Sequence, residues 1–231
     1  MKPNFPKLLP SVSLALGLMA AAMPSHAGLS NAFFSYSPFG TQTLELTTTT
    51  GSVSIGASST GWWDQNGAHS SFNPNYIVGV CGSSDTCSGD NLDHRDFFIF
   101  DLSTVRGSIL SAALNIGNGP SGYYGGAFLP VSFFDVFTDL NDVAASGVGR
   151  TDIYADLGSG VSYGVFNATA ADVNMQVVIN LNGNALSALN AAIGSSWGIG
   201  GAIGGEVPEP RSMALVWLGV AALAAVRQRK A

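Results

Sequence analysis

Lysine is absent from residues 28–206, and arginine occurs there only as Arg95, Arg106 and Arg150. Three positive charges against fourteen Asp and Glu residues leave that stretch at −11, well below the whole-chain value of −6. A surface of that sign repels phosphate backbones, which excludes nucleic acid as a partner. Without lysine there is no P-loop. Histidine is also scarce, with His69 and His94 the two within this stretch. Cysteine occurs twice, as Cys81 and Cys87. A soft-ligand metal site needs more donors than these and His94. In an oxidising compartment the pair is expected to form one short-loop disulfide, with free thiols as the alternative. No cofactor is indicated.

Long apolar runs are missing from the middle of the chain and confined to its ends. Met1–Ala27 has a basic start (Lys2, Lys7), an apolar stretch Val12–Ala22, and Ser25-His26-Ala27 as a small-x-small cleavage site. That is the form of a secretory signal peptide. At the other end stand Val207-Pro208-Glu209-Pro210, then the apolar run Met213–Val226, then Arg227, Arg229 and Lys230. The prolines fix φ and remove backbone donors, so they hold an extended segment that a processing enzyme can grip. As a helix the apolar run would be about 21 Å long, short of the roughly 30 Å hydrocarbon core. Snorkelling arginines and local thinning still allow insertion, and the basic end should stay cytoplasmic.

These three parts in this order resemble the PEP-CTERM sorting signal of bacterial surface and secreted proteins. The resemblance implies an exosortase-type processing enzyme as a partner. It also implies an inner-membrane-anchored intermediate, then the cell surface or polysaccharide matrix of a Gram-negative-type bacterium. The chain divides accordingly into a signal peptide (1–27), an extracellular domain (28–206) and the sorting signal with its transmembrane helix (207–231).

The middle stretch reads as β. Val173, Met175, Val177, Ile179 and Leu181 alternate with Asn174, Gln176 and Asn180, the period of a half-buried strand. Phe97–Phe100 is a compact aromatic strand. Ser108–Ile116 places Leu110, Ala112, Leu114 and Ile116 on one face. Further strands are expected at Val53–Ile55, Tyr76–Val80, Val131–Phe137, Ser162–Phe166 and Trp197–Ile203. One helix is expected, at about Asn184–Ile193. Together these predict a mainly β fold, an antiparallel β-sandwich of jelly-roll type with one short helix.

The run Arg95-Asp96-Phe97-Phe98-Ile99-Phe100-Asp101-Leu102-Ser103, followed by Ile109-Leu110-Ser111-Ala112-Ala113-Leu114, resembles a pattern in extracellular β-sandwich modules. Some of those are carbohydrate-binding modules. The local reading is structural: Asp101 caps the following turn, and Arg95 pairs with Asp96 or Asp101.

Catalytic motifs fail on context. Gly194-Ser195-Ser196-Trp197-Gly198 matches G-x-S-x-G, but a nucleophile elbow needs a strand before it and a helix after, the reverse of the order here. It reads as a helix-terminal turn with Gly194 left-handed. Gly117–Gly122 matches G-x-G-x-x-G, but Pro120 and the glycines that follow forbid the required helix. The chain is therefore expected to be non-enzymatic, with carboxylate-dependent action on polysaccharide as the less favoured option. Two binding options remain. Aspartates Asp85, Asp90 and Asp93, with Asp96 nearby, could hold Ca²⁺, although no EF-hand spacing is present. Trp62, Trp63, Tyr123 and Tyr124 could stack on the apolar faces of sugars, with core packing as the alternative.

Overall fold

The computed structural model describes residues 30–36, 42–83 and 85–204. The signal-peptide and sorting-tail assignments lie outside these residues. Among the described residues, no helix is long and apolar enough to cross a membrane.

Among the described residues, eleven strands form one antiparallel sheet that folds back on itself. They are β1 (Asn31–Ser35), β2 (Thr43–Thr48), β3 (Gly51–Asp64), β4 (Tyr76–Val80), β5 (Asp93–Asp101), β6 (Ile109–Gly117), β7 (Tyr123–Tyr124), β8 (Leu129–Asp135), β9 (Ser162–Ala168), β10 (Gln176–Asn180) and β11 (Ser196–Ile203). The main path runs β10-β6-β2-β3-β5-β11-β8-β9, with β4 on β5, β1 on β4 and β7 on β1. The fold-back is made by β3, a strand of 14 residues. Residues 51–56 of β3 pair with β2, and 57–64 pair with β5, with a shift of register between Ala57 and Ser59. One strand thus belongs to both arms. Between the arms lies the main core: Leu44, Leu46, Leu114, Ile116 and Ile179 from one side meet Phe98, Phe100, Val131, Phe133 and Ile199 from the other. The β-rich fold and facing arms fit a β-sandwich.

Three helices accompany the sheet among the described residues, where the sequence suggested one: α1 (Leu140–Ala144), α2 (Thr151–Asp156) and α3 (Gly183–Ala191). The anticipated helix is α3. Asn182 caps it by accepting from the Asn184 and Ala185 N–H groups, and Ala185 and Leu189 enter the core. The helices α1 and α2 cover the outer face of β3 and β5. There Trp63, Phe97 and Ile99 pack against Val143, Ile153 and Leu157. Covering both faces of β5 explains its unbroken apolar run, Phe97 to Phe100.

Several expected details shift. Leu110 is exposed, and Ile109 is buried in its place. The pairing with β2 passes from Thr47–Ser111 to Thr48–Ile109, so Leu110 is the extra residue of a bulge and the alternation reverses there. The Asn190 side chain bonds both the N–H and the carbonyl of Ile109, at 2.8 and 3.0 Å, securing the bulged end. Met175 is exposed because β10 begins only at Gln176, after a 3₁₀ turn at Ala170–Asp172. The strand expected to reach Phe137 ends at Asp135, and the Phe137 ring stands in solvent.

Asp101 accepts from the Ser103 N–H at 2.9 Å, as a turn cap should. Arg95 does not pair with Asp96 or Asp101. Its guanidinium lies over the Tyr154 ring at 4.2 Å and donates to the Tyr154 and Ala155 carbonyls, closing the end of α2. Asp96 instead is fully buried, and its carboxylate makes no hydrogen bond to another described residue.

Candidate functional site

The pair β1–β4 has an inner and an outer face. Phe33, Tyr76 and Val78 point into the main core. Ala32, Phe34 and Ile77 point outward, forming with Cys81 a second cluster. Half-buried Tyr36, Trp62, Cys87 and Tyr124 pack on that cluster and make an aromatic shelf. Tyr124 lies flat on Phe34, rings 5.6 Å apart and 11° from parallel, while Tyr36 meets Phe34 edge-on.

The loop after β4 is stitched to this shelf. Cys81 and Cys87 form the expected disulfide. The Tyr124 hydroxyl accepts from the Thr86 N–H at 3.2 Å, and the Tyr36 hydroxyl donates to the Cys87 carbonyl at 3.4 Å. Burial raises the Tyr36 pKa. His94 is fully buried beneath, edge-on to Trp62 at 4.6 Å between centroids. Its Nδ1 is 3.1 Å from the Gly79 carbonyl and its Nε2 is 3.2 Å from Asp90 Oδ2.

The four aromatic candidates therefore separate. Trp62 and Tyr124 share the shelf. Trp63, the adjacent residue, points the opposite way and is buried; its indole N–H donates to the Val143 carbonyl at 3.0 Å. A buried ring on that side offers no face to a ligand. Tyr123 packs at the margin of the main core and donates to the Gly126 carbonyl at 2.9 Å. Tyr36 completes the shelf, and sequence reasoning missed it. Its only signal was its place just after Phe33-Phe34, at the end of a strand that had not been anticipated.

The acidic candidates also separate. Asp85 accepts from the Ser30 hydroxyl and, at 2.9 Å, from the Gly82 N–H. Asp90 accepts from the Ser88 hydroxyl and the Leu92 N–H, both at 2.9 Å, besides facing His94. Asp93 accepts from the Tyr154 hydroxyl, whose pKa is raised first by burial and then by that bond. Among the described residues, no group of three or more His, Cys, Asp or Glu side chains is placed to hold a metal ion. Asp85 and Asp90 shape the turn after β4, and Asp93 ties β5 to α2.

At the G-x-S-x-G match, α3 precedes the turn and β11 follows it, with Gly194 left-handed at φ +89°. The Ser195 hydroxyl donates to the Ala192 carbonyl at 2.8 Å, so it holds the turn. The segment Gly117–Gly122 is the connection from β6 to β7. Compared with known proteins, the chain matches no family model, no curated protein and no solved structure.

Proposed function

We propose that this chain is an exported, non-enzymatic β-sandwich protein of the cell surface or extracellular matrix. It is delivered by its signal peptide and sorted through Val207–Ala231 by an exosortase-type enzyme, and it works in association with extracellular polysaccharide or biofilm. Residues 28–206 are the delivered domain. We assign it to the jelly-roll type, a reading supported by the crossing strand β3 and the non-sequential neighbours β5–β11 and β6–β2.

The observation that carries the export reading is the disulfide. Cys81 and Cys87 are joined, and the enclosed turn is held to the shelf by Tyr36 and Tyr124. Such a staple persists in an oxidising compartment and not in a reducing cytosol. The turn-shaping carboxylates support the non-enzymatic part of the reading.

The test is the intact mass of the protein recovered separately from envelope and medium. Loss of residues 1–27 and of the segment beyond Pro208-Glu209-Pro210 is expected. A full-length mass in the cytosolic fraction refutes the reading. The second reading is a carbohydrate-binding module, favoured by the grouping of Tyr36, Trp62 and Tyr124 on one face. Loss of glycan binding in Tyr124→Ala would support it; glycan binding unaffected by that change would remove this shelf from consideration.

A further inference from the structure

The turn after α3 and the segment after β8 border an open cleft of about 440 Å³, whose lining includes none of Trp62, Trp63, Tyr123 and Tyr124. That volume lies in the range of small-ligand sites, roughly 300–1,000 Å³. Its walls combine rings with a few polar groups. Tyr163 and Trp197 stack at 5.6 Å and 21° from parallel, and Phe137 stands at the mouth with 78% of its surface exposed. Ala188 and Ala191 of α3, Ala192 just after it, and Leu140 lying against Gly198 form an apolar floor. Asp135 uses Oδ1 to accept the Val161 N–H at 2.7 Å, which fixes the carboxyl at the wall of the cleft. The Trp197 indole N–H is buried in the same wall beside the Tyr163 hydroxyl.

We propose that this cleft binds a neutral saccharide ring, with Phe137 covering its apolar face and Asp135 and Ser196 meeting its hydroxyls. Rings supply flat apolar contact, while an acceptor carboxylate and a hydroxyl supply the polar contacts a polyol needs. The cleft carries no lysine or arginine. Burial raises the Asp135 pKa, and nearby Asp156 raises it further, so an anionic sugar adds repulsion to both. Phosphorylated and uronic-acid ligands are disfavoured on that ground. The choice of saccharide also draws on the extracellular-polysaccharide reading. The two fail separately, because masses from cell fractions test export and binding in vitro tests the cleft.

The experiment is isothermal titration of the full chain with cellohexaose, laminarihexaose and an oligogalacturonate. At least one neutral probe should bind at about millimolar affinity or tighter. Phe137→Ala should weaken that binding by about tenfold, in line with loss of an aromatic anchor. Asp135→Asn should also weaken it and keep the Val161 bond. Phe137 is exposed, so its variant retains the fold, which unchanged thermal unfolding will verify. Binding of neither neutral probe overturns the inference. So does equal binding by Phe137→Ala, preference for oligogalacturonate, or binding abolished by Tyr124→Ala alone.

Discussion

Asp96 should make this protein less stable as the pH rises from acid to neutral. Its carboxyl is fully buried and makes no hydrogen bond to another described residue; its own backbone N–H opposes the effect of burial only in part. Burial raises its pKa from 3.8 to about 7. The folded state therefore keeps a proton that the unfolded chain has already released. The stability present below the unfolded value is lost as pH rises through the folded one. At about 1.36 kcal/mol per pH unit, the interval from 3.8 to about 7 corresponds to a loss of about 4 kcal/mol. His69 works in the opposite direction. Burial lowers its pKa, so it costs stability as pH falls below the ordinary histidine value. The comparison must therefore be made against Asp96→Asn, which cannot ionise and leaves His69 unchanged. The amide brings its own unpaired donors, but that cost does not vary with pH and cancels in the trend. Urea unfolding of both proteins between about pH 4 and pH 8 provides the measurement. The variant should gain on the wild type by about 3–4 kcal/mol over that range, nearly all of it below pH 7.5. Parallel pH curves for the two proteins would refute the reasoning, as would a wild type that gains on the variant.

Two further changes test neighbouring parts of the fold. Gly201 faces Asp96 across the β5–β11 pairing, and a Cβ there would stand 2.2 Å from Asp96 Oδ1. Gly201→Ala should cost about 3 kcal/mol in urea unfolding, and combining it with Asp96→Ala should cost less than the sum of the two. Replacing Cys81 and Cys87 with Ala should cost about 2 kcal/mol, the chain-entropy value for so short a loop. An undiminished midpoint would show that the His94, Asp85 and Tyr124 contacts hold the turn without the cross-link.

Local signals were legible where one residue and its near neighbours decide the outcome. The Phe97–Phe100 strand, the Asp101 cap and left-handed Gly194 are of this kind, each set within a few residues. What escaped was set by distant chain. Helices α1 and α2 span 5 and 6 residues, too short to show a 3.6-residue period, with Val143 and Ile153 as their buried anchors. The bulge at Leu110 arises in the pairing with β2, some sixty residues earlier, and nothing near Leu110 announces it. Arg95 was expected to find a carboxylate. Its acceptors are backbone carbonyls at Tyr154 and Ala155, which every residue carries and no pattern distinguishes. The disulfide was legible from two cysteines alone, and the adjacent pair Trp62-Trp63 splits between two clusters, as alternation along a strand requires. The cleft was missed because Phe137, Tyr163 and Trp197 come from three separate segments, and the one motif match among them, Gly194–Gly198, suggests other chemistry.

The position of β11 has a consequence for how the chain assembles. It is the last strand of the described residues, yet it lies inside the sheet, bonded to β5 through Ser196–Gly201 and to β8 through Ile199–Ile203. A chain emerging N-terminus first therefore holds an open slot between β5 and β8 until residues 196–203 arrive. Two unpaired strand edges face that slot meanwhile, the kind of surface that recruits other chains. Closure is a late insertion joining strands about a hundred residues apart, which makes it slow as well as final. Any helper that shields the nascent chain must stay until the glycine-rich strand Ser196–Ile203 has slid into place, and departure before then exposes the molecule at its stickiest moment.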